Sequence, residues 1–213
     1  MSTSNKSASP AAAEDASRRS FFKSTALAVG AVATSSVLAP RVHAAGSDEI
    51  KVGLVGCGGR GRGAIINALK ADYRAKVTAL ADMFPDALEF AKKTIAVQAK
   101  EQWAVDDDHC YSGVDAYKQL IPEVDVVLLC TPPHFRPAHL EAAINAGKHV
   151  FCEKPIATDP TGVRKVLELT KLAEEKKLNL VSGLCWRYDV GVKETIKRIK
   201  DGAIGDIVNI QEN

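Results

Sequence analysis

A doubly wound α/β fold built on a parallel sheet is predicted by three features of this 213-residue sequence. Short apolar runs alternate with helical runs from Ile50 onward, the pattern of successive β-α-β units. Val124-Asp125-Val126-Val127-Leu128-Leu129-Cys130 is almost continuously apolar, as expected of a strand covered on both faces. Between the first strand and the first helix, Gly56, Gly58 and Gly61 fit Gly-x-Gly-x-x-Gly. In that spacing the first glycine permits a tight turn, the second lets a pyrophosphate approach the backbone, and the third lets the helix pack closely.

Taken in order, the chain opens with a Ser- and Ala-rich segment ending at Ser17-Arg18-Arg19-Ser20-Phe21-Phe22-Lys23. A moderately apolar run from Thr25 to Leu38 follows, diluted by Gly30, Thr34, Ser35 and Ser36, and Val42-His43-Ala44 supplies small residues suited to cleavage. The run is too short and too polar for a membrane anchor. Residues 1–44 therefore resemble a twin-arginine export signal. That route carries folded proteins, so the expectation is a periplasmic or otherwise exported protein that meets the twin-arginine machinery with its nucleotide already bound.

After a linker at Gly46–Glu49, strand one is expected over Ile50–Val55 and its helix over Gly59–Ala71. The second strand, Ala75–Ala81, ends at Asp82, close to where an acid binds the ribose hydroxyls of a dinucleotide. Pro85 opens a helix through Gln98, since proline suits a first helical turn. Lys100–Ser112 reads as an irregular polar loop, with Asp106-Asp107-Asp108 solvated rather than metal-binding. A helix over Val114–Leu120, the strand Val124–Cys130, and a helix from Pro137 to Ala146 follow. Lys148–Cys152 is the next strand and delivers Glu153-Lys154-Pro155; a helix over Thr161–Lys176 leads to the strand Asn179–Leu184 and to Cys185-Trp186-Arg187-Tyr188. Ligands of such sheets bind beyond the carboxyl ends of the strands. Gly56–Gly61, Asp82, Thr131–Pro133, Glu153–Pro155 and Trp186–Arg187 all fall at such ends, so five separated segments converge on one place.

The end of the chain changes character. Gly191–Lys200 reads as an amphipathic helix and Ile204–Gln211 as a strand with period-two alternation, the opening of a second α/β domain left incomplete over 187–213. The nucleotide-binding domain is thus expected over 45–186.

Charge and cysteine usage narrow the classes further. Five of the 28 Lys and Arg and two of the 26 Asp and Glu fall within residues 1–44, so the remainder carries one more acid than base. The basic balance belongs to the leader, and no basic nucleic-acid surface is expected in the body. Cys57, Cys110, Cys130, Cys152 and Cys185 form no Cys-x-x-Cys pair, and an odd, scattered set argues against both a disulfide framework and a zinc site. They read as small buried hydrophobes.

The glycine turn, Asp82, Cys130-Thr131-Pro132-Pro133, Glu153-Lys154-Pro155 and Gly202-Ala203-Ile204-Gly205-Asp206-Ile207 together resemble the glucose-fructose oxidoreductase / inositol dehydrogenase / rhizopine catabolism (Gfo/Idh/MocA) family, from about Ile50 to the end. The resemblance implies a Rossmann-type domain followed by an α/β domain with an open sheet, NAD as cofactor with NADP as the alternative, a sugar or polyol substrate, and a homo-oligomer at full length. It assigns Lys154 as a catalytic and substrate-contacting residue, with Pro155 after a cis bond. A lysine serves as base only where burial or a nearby positive charge releases its proton. Glu153 is expected to face away from the Lys154 amino group, because adjacent residues on an extended chain point oppositely.

The resemblance further implies that the nucleotide is lined by Gly56, Cys57, Gly58, Gly59, Arg60, Gly61, Asp82, Thr131, Pro132, Glu153, Lys154 and Trp186, with Arg187 a substrate ligand. Asp82 favours NAD, since a carboxylate repels a 2′-phosphate, although Arg60 and Arg62 lie close in sequence. Arg136 stands where the family often has a histidine, and His134 and His139 read as helix-start or surface residues. Two other functions stay open: a glycoside hydrolase that uses NAD transiently, and a nucleotide-binding module without catalysis.

Overall fold

The computed structural model describes residues 48–212, which fall within one compact unit, 47–213. The export signal expected over 1–44 lies outside the described residues. Six strands, β1 (Ile50–Val55), β2 (Ala75–Asp82), β3 (Cys110–Ser112), β4 (Val126–Leu129), β5 (His149–Cys152) and β6 (Leu180–Ser182), form one sheet in the order β3-β2-β1-β4-β5-β6. Every pairing is parallel. The chain winds outward from β1 to β3, then returns to the other side of β1, which is the doubly wound Rossmann-type arrangement.

The helices are α1 (Gly59–Ala71), α2 (Pro85–Gln98), α3 (Ala116–Leu120), α4 (Arg136–Asn145), α5 (Pro160–Glu175) and α6 (Val190–Lys200). Successive strand residues feed opposite cores. Val52 and Leu54 pack with Ile65 and Leu69 of α1 and Leu88 and Ile95 of α2, while Val55 packs with Leu120 of α3 and Leu140 and Ile144 of α4. In β4, Leu128 joins the first core and Val127 and Leu129 the second. Burial on both sides is why these strands read as apolar runs rather than as alternating ones.

Two expectations are corrected. Within the loop expected over Lys100–Ser112, Cys110–Ser112 forms β3 against the free edge of β2, pairing Leu80 with Cys110 and Asp82 with Ser112. The strand expected over Ile204–Gln211 is absent: no strand is assigned there, and Ile204, Ile207, Val208 and Ile210 are exposed. A strand needs a neighbour for its ladder, and none of the described residues pairs with this segment. The acid triplet is exposed as expected, with Asp107 in an ion pair with Lys92.

Candidate functional site

The sheet register sets the site. Val55 pairs with Ala81 on one side and Leu129 on the other, Leu129 pairs with Cys152, and Cys152 with Ser182. The residues that follow, Gly56, Asp82, Cys130, Glu153 and Gly183, therefore form a row along the carboxyl edge. The strand order reverses between β1 and β4, where such sheets open a crevice. A cleft of about 470 Å³ lies there. Its walls include Gly56, Gly58, Gly59, Arg60, Gly61, Asp82, Thr131 and Pro132, so eight of the expected nucleotide residues share one cavity.

The three motif glycines meet different constraints. Gly56 has φ +97, and a Cβ there would lie 2.6 Å from the Thr131 nitrogen. At Gly61 a Cβ would lie 1.8 Å from the Gly56 oxygen, so the helix could not pack against the turn. At Gly58 a Cβ would meet nothing within 4 Å. The protein's own packing thus leaves Gly58 unconstrained, and the space beside it is what an approaching pyrophosphate requires. No side chain caps the N-terminus of α1 and its first turn holds no acid. Its N–H groups and dipole are left to an anion.

Asp82 is half-buried at the end of β2. The Cys57 N–H donates to its Oδ2 at 2.6 Å and the Phe84 N–H to its Oδ1 at 2.9 Å, which fixes the carboxylate beside the turn. A carboxylate offers about four acceptor sites, so capacity for ribose hydroxyls remains. Arg62 donates to the Cys57 carbonyl at 3.0 Å and lies 4.5 Å above the Phe90 ring. These residues fit a dinucleotide.

Polar interactions that sequence reasoning did not find join Arg60, Arg136 and His139 of the cleft wall to their surroundings. Arg60 donates through Nε to Glu153 Oε1 at 2.7 Å. Arg136 is buried, and its guanidinium donates to the carbonyls of Thr131 and Glu153, each at 2.8 Å, and to that of Pro155. Arg136 therefore clamps the Thr131 turn to the Lys154 loop. His139, expected at a helix start or at the surface, stands in the first turn of α4 but is buried: it stacks on Tyr117 with ring centroids 4.1 Å apart and lies 3.2 Å from the Thr131 hydroxyl through Nδ1. Burial pulls its pKa down to about 4, so it is neutral at physiological pH. The only sequence signal for Arg136 and His139 is position, five and eight residues beyond Thr131.

The remaining expected residues stand outside the cleft lining. The Cys57 side chain is buried in the core, and burial with Asp82 nearby pushes its thiol pKa far up. The half-buried Cys130 thiol, which lines the cleft, is pushed up to about 12 by burial, with Glu153 adding to the shift. Cys185, expected to be buried, is exposed in a 3₁₀ turn, since no core covers that turn among the described residues. Glu153 points inward and Lys154 outward into solvent, with the Lys154 N–H donating to Glu153 Oε2 at 3.1 Å. The Lys154–Pro155 bond is cis. Trp186 and Arg187 are exposed and border a separate groove of about 700 Å³ with Val192, Ile196 and Lys197 of α6.

Strand order, an uncapped glycine turn and an acid closing β2 together define a dinucleotide-binding domain. The chain belongs to the Gfo/Idh/MocA oxidoreductase family, whose NAD-binding Rossmann fold matches residues 50–183. It is 30% identical over 158 residues to the inositol 2-dehydrogenase of Rhizobium meliloti (strain 1021), covering 74% of this chain and 43% of that protein. It is 28% identical over 163 residues to a glycosyl hydrolase family 109 protein of Streptomyces coelicolor, covering 75% of this chain and 33% of that one. Among solved structures, scyllo-inositol dehydrogenase from Lactobacillus casei with bound NAD(H) and scyllo-inositol superposes with a TM-score of 0.58 at 28% identity, over 75% of this chain and 43% of that one. The chain thus spans less than half the length of the relatives it matches.

Proposed function

We propose that this chain is the cofactor-binding part of an exported, nicotinamide-dependent dehydrogenase acting on a polyol or sugar. The observation that carries the reading is that the similarity to inositol dehydrogenases runs through the segments that build the cleft. The turn Gly56–Gly61 and the N-terminus of α1 hold the pyrophosphate, Asp82 takes the adenosine ribose and favours NAD over NADP, and Thr131 and Pro132 line the path toward the reacting end. When bound, the oxidised nicotinamide accepts a hydride from a carbon that bears a hydroxyl group. Lys154 is the group of this chain that contacts that hydroxyl and takes its proton, and Arg187 binds other hydroxyls of the substrate. Export rests on Arg18-Arg19 and the residues around them, and assembly into a homo-oligomer belongs to the same reading.

The test is NADH fluorescence titration of the purified full chain, followed by a screen of cyclic polyols and aldoses with NAD or NADP. Binding of NADH by this chain is expected, and NADH formation from a polyol by the whole dehydrogenase of which it is the cofactor-binding part. Failure to bind either nucleotide overturns the reading. A second reading, hydrolysis of a glycoside with NAD used transiently, is supported by the similarity to the glycosyl hydrolase family 109 protein. Release of sugar from a glycoside without net NADH would favour it.

A further inference from the structure

We infer that Glu153 is a positioning residue that acts through Arg60: the pair ties the nucleotide-binding turn to Lys154, so that filling the turn and placing Lys154 are coupled. The inference rests on the reading of the cleft and of Lys154 given above. Arg60 and Glu153 are 93 residues apart and belong to different β-α units, yet they form an ion pair of 2.7 Å across the carboxyl edge. The two ends of this pair differ in freedom. The Arg60 side chain is 52% exposed and lines the cleft, whereas that of Glu153 is 4% exposed. The Glu153 carboxylate rests against Gly183, where a Cβ would lie 2.8 Å from Oε1, so a larger residue there would have to displace it.

The same carboxylate reaches Lys154 directly, because Oε2 accepts the Lys154 N–H at 3.1 Å. On the far side, Arg136 holds the carbonyls that flank Lys154, those of Glu153 and Pro155. Lys154 is therefore suspended between a buried clamp and a carboxylate whose charge partner faces the nucleotide. A guanidinium has five N–H donors, of which Nε–H is engaged by Glu153. The terminal nitrogens are suited to an anion entering the turn. An anion that drew Arg60 wholly away would leave a buried carboxylate without its cation, which is costly. Sharing Arg60 between the pyrophosphate and Glu153 avoids that cost, and it stiffens the link to Lys154 when the nucleotide is present.

The test uses the purified full chain as wild type, Arg60→Ala, Arg60→Lys, Glu153→Gln and the double variant Arg60→Ala/Glu153→Gln. NADH affinity is measured by fluorescence titration. Acylation of Lys154 by an amine-reactive acetyl ester is measured by peptide mass spectrometry with and without NADH, with exposed Lys51 as the internal standard. Arg60→Ala and Glu153→Gln are each expected to weaken NADH about tenfold, with the double variant no weaker than the worse of the two. NADH is expected to change the Lys154 acylation rate several-fold in the wild type and hardly at all in Arg60→Ala, and Arg60→Lys should restore part of both effects. A double variant whose loss is the product of the single losses overturns the inference. So does an equal NADH effect on Lys154 in wild type and Arg60→Ala. Should Glu153→Gln fail to fold, the half-exposed Arg60 variants decide alone. Absence of NADH binding by the wild type would remove the proposed function and this inference with it, whereas wild-type binding with unaltered Arg60→Ala behaviour removes the inference alone.

Discussion

Gly58 and Gly61 lie three residues apart and answer to different demands, which makes them separable by mutation. A methyl group at Gly61 would sit 1.8 Å from a backbone oxygen, so the turn must shift. Gly61→Ala is expected to destabilise the fold by about 1–3 kcal/mol, read as a lower urea midpoint, and to lose nucleotide binding as well. A methyl group at Gly58 meets no protein atom within 4 Å. Gly58→Ala should melt at the wild-type temperature yet bind NADH at least about tenfold more weakly, a loss of about 1.4 kcal/mol. Equal affinity in that variant would mean that the pyrophosphate lies elsewhere. The glycine turn and Asp82 were legible in the sequence because their spacing is local and fixed by one β-α-β unit. The Arg60–Glu153 pair and the Arg136 clamp were not, because partners 93 and 17 residues apart meet only through the sheet register. The burial of His139 was missed for a related reason: its place at a helix start was legible, and only packing against Tyr117 shows it to be covered.

Elements were legible where they bury two faces and illegible where an edge decides. The β4 run announces itself by continuous apolar residues, whereas Cys110-Tyr111-Ser112 is three residues long and follows an acid triplet. It becomes a strand because β2 offers it an open edge. The segment Ile204–Gln211 has the alternation that β3 lacks, but it has no edge to join among the described residues. Alternation shows that a segment is able to pair; a partner decides whether it does. The turns between elements carry their own support. Gln102, in the 3₁₀ turn after α2, shares the two N–H donors of Nε2 among the carbonyls of Leu69, Asp72 and Ala75 at 2.8, 3.0 and 2.8 Å. It thereby ties the end of α1 to the start of β2. Gln102→Ala is expected to cost about 1–2 kcal/mol in urea denaturation, because partly buried carbonyls lose their donor. A change within error would mean that water takes its place.

At the scale of the whole molecule, stability should respond to acid through His139. Its folded pKa of about 4 lies below its ordinary 6.5, so between these values the unfolded chain binds more protons than the folded one. The contribution of neutral His139 is complete above about pH 6.5 and falls away as the pH drops toward 4. His139→Gln, which keeps a hydrogen-bonding group toward Thr131, should show a shallower decline of urea midpoint between pH 7 and pH 4.5 than the wild type. Parallel declines would assign acid sensitivity to the carboxylates instead.

The central place of β1 in the sheet also governs how the protein must be made. Among the described strands β1 emerges first from the ribosome and finds β2 soon afterward, but its other edge lacks its neighbour until Val126–Leu129 has cleared the exit tunnel. Throughout that interval the apolar backbone of Val52–Val55 is an open template for any other nascent chain. Glu153 arrives later still, so Arg60 waits for its partner while 93 more residues are added. A strand in the middle of its sheet thus completes its pairing late, and its open edge closes only when β4 slots in.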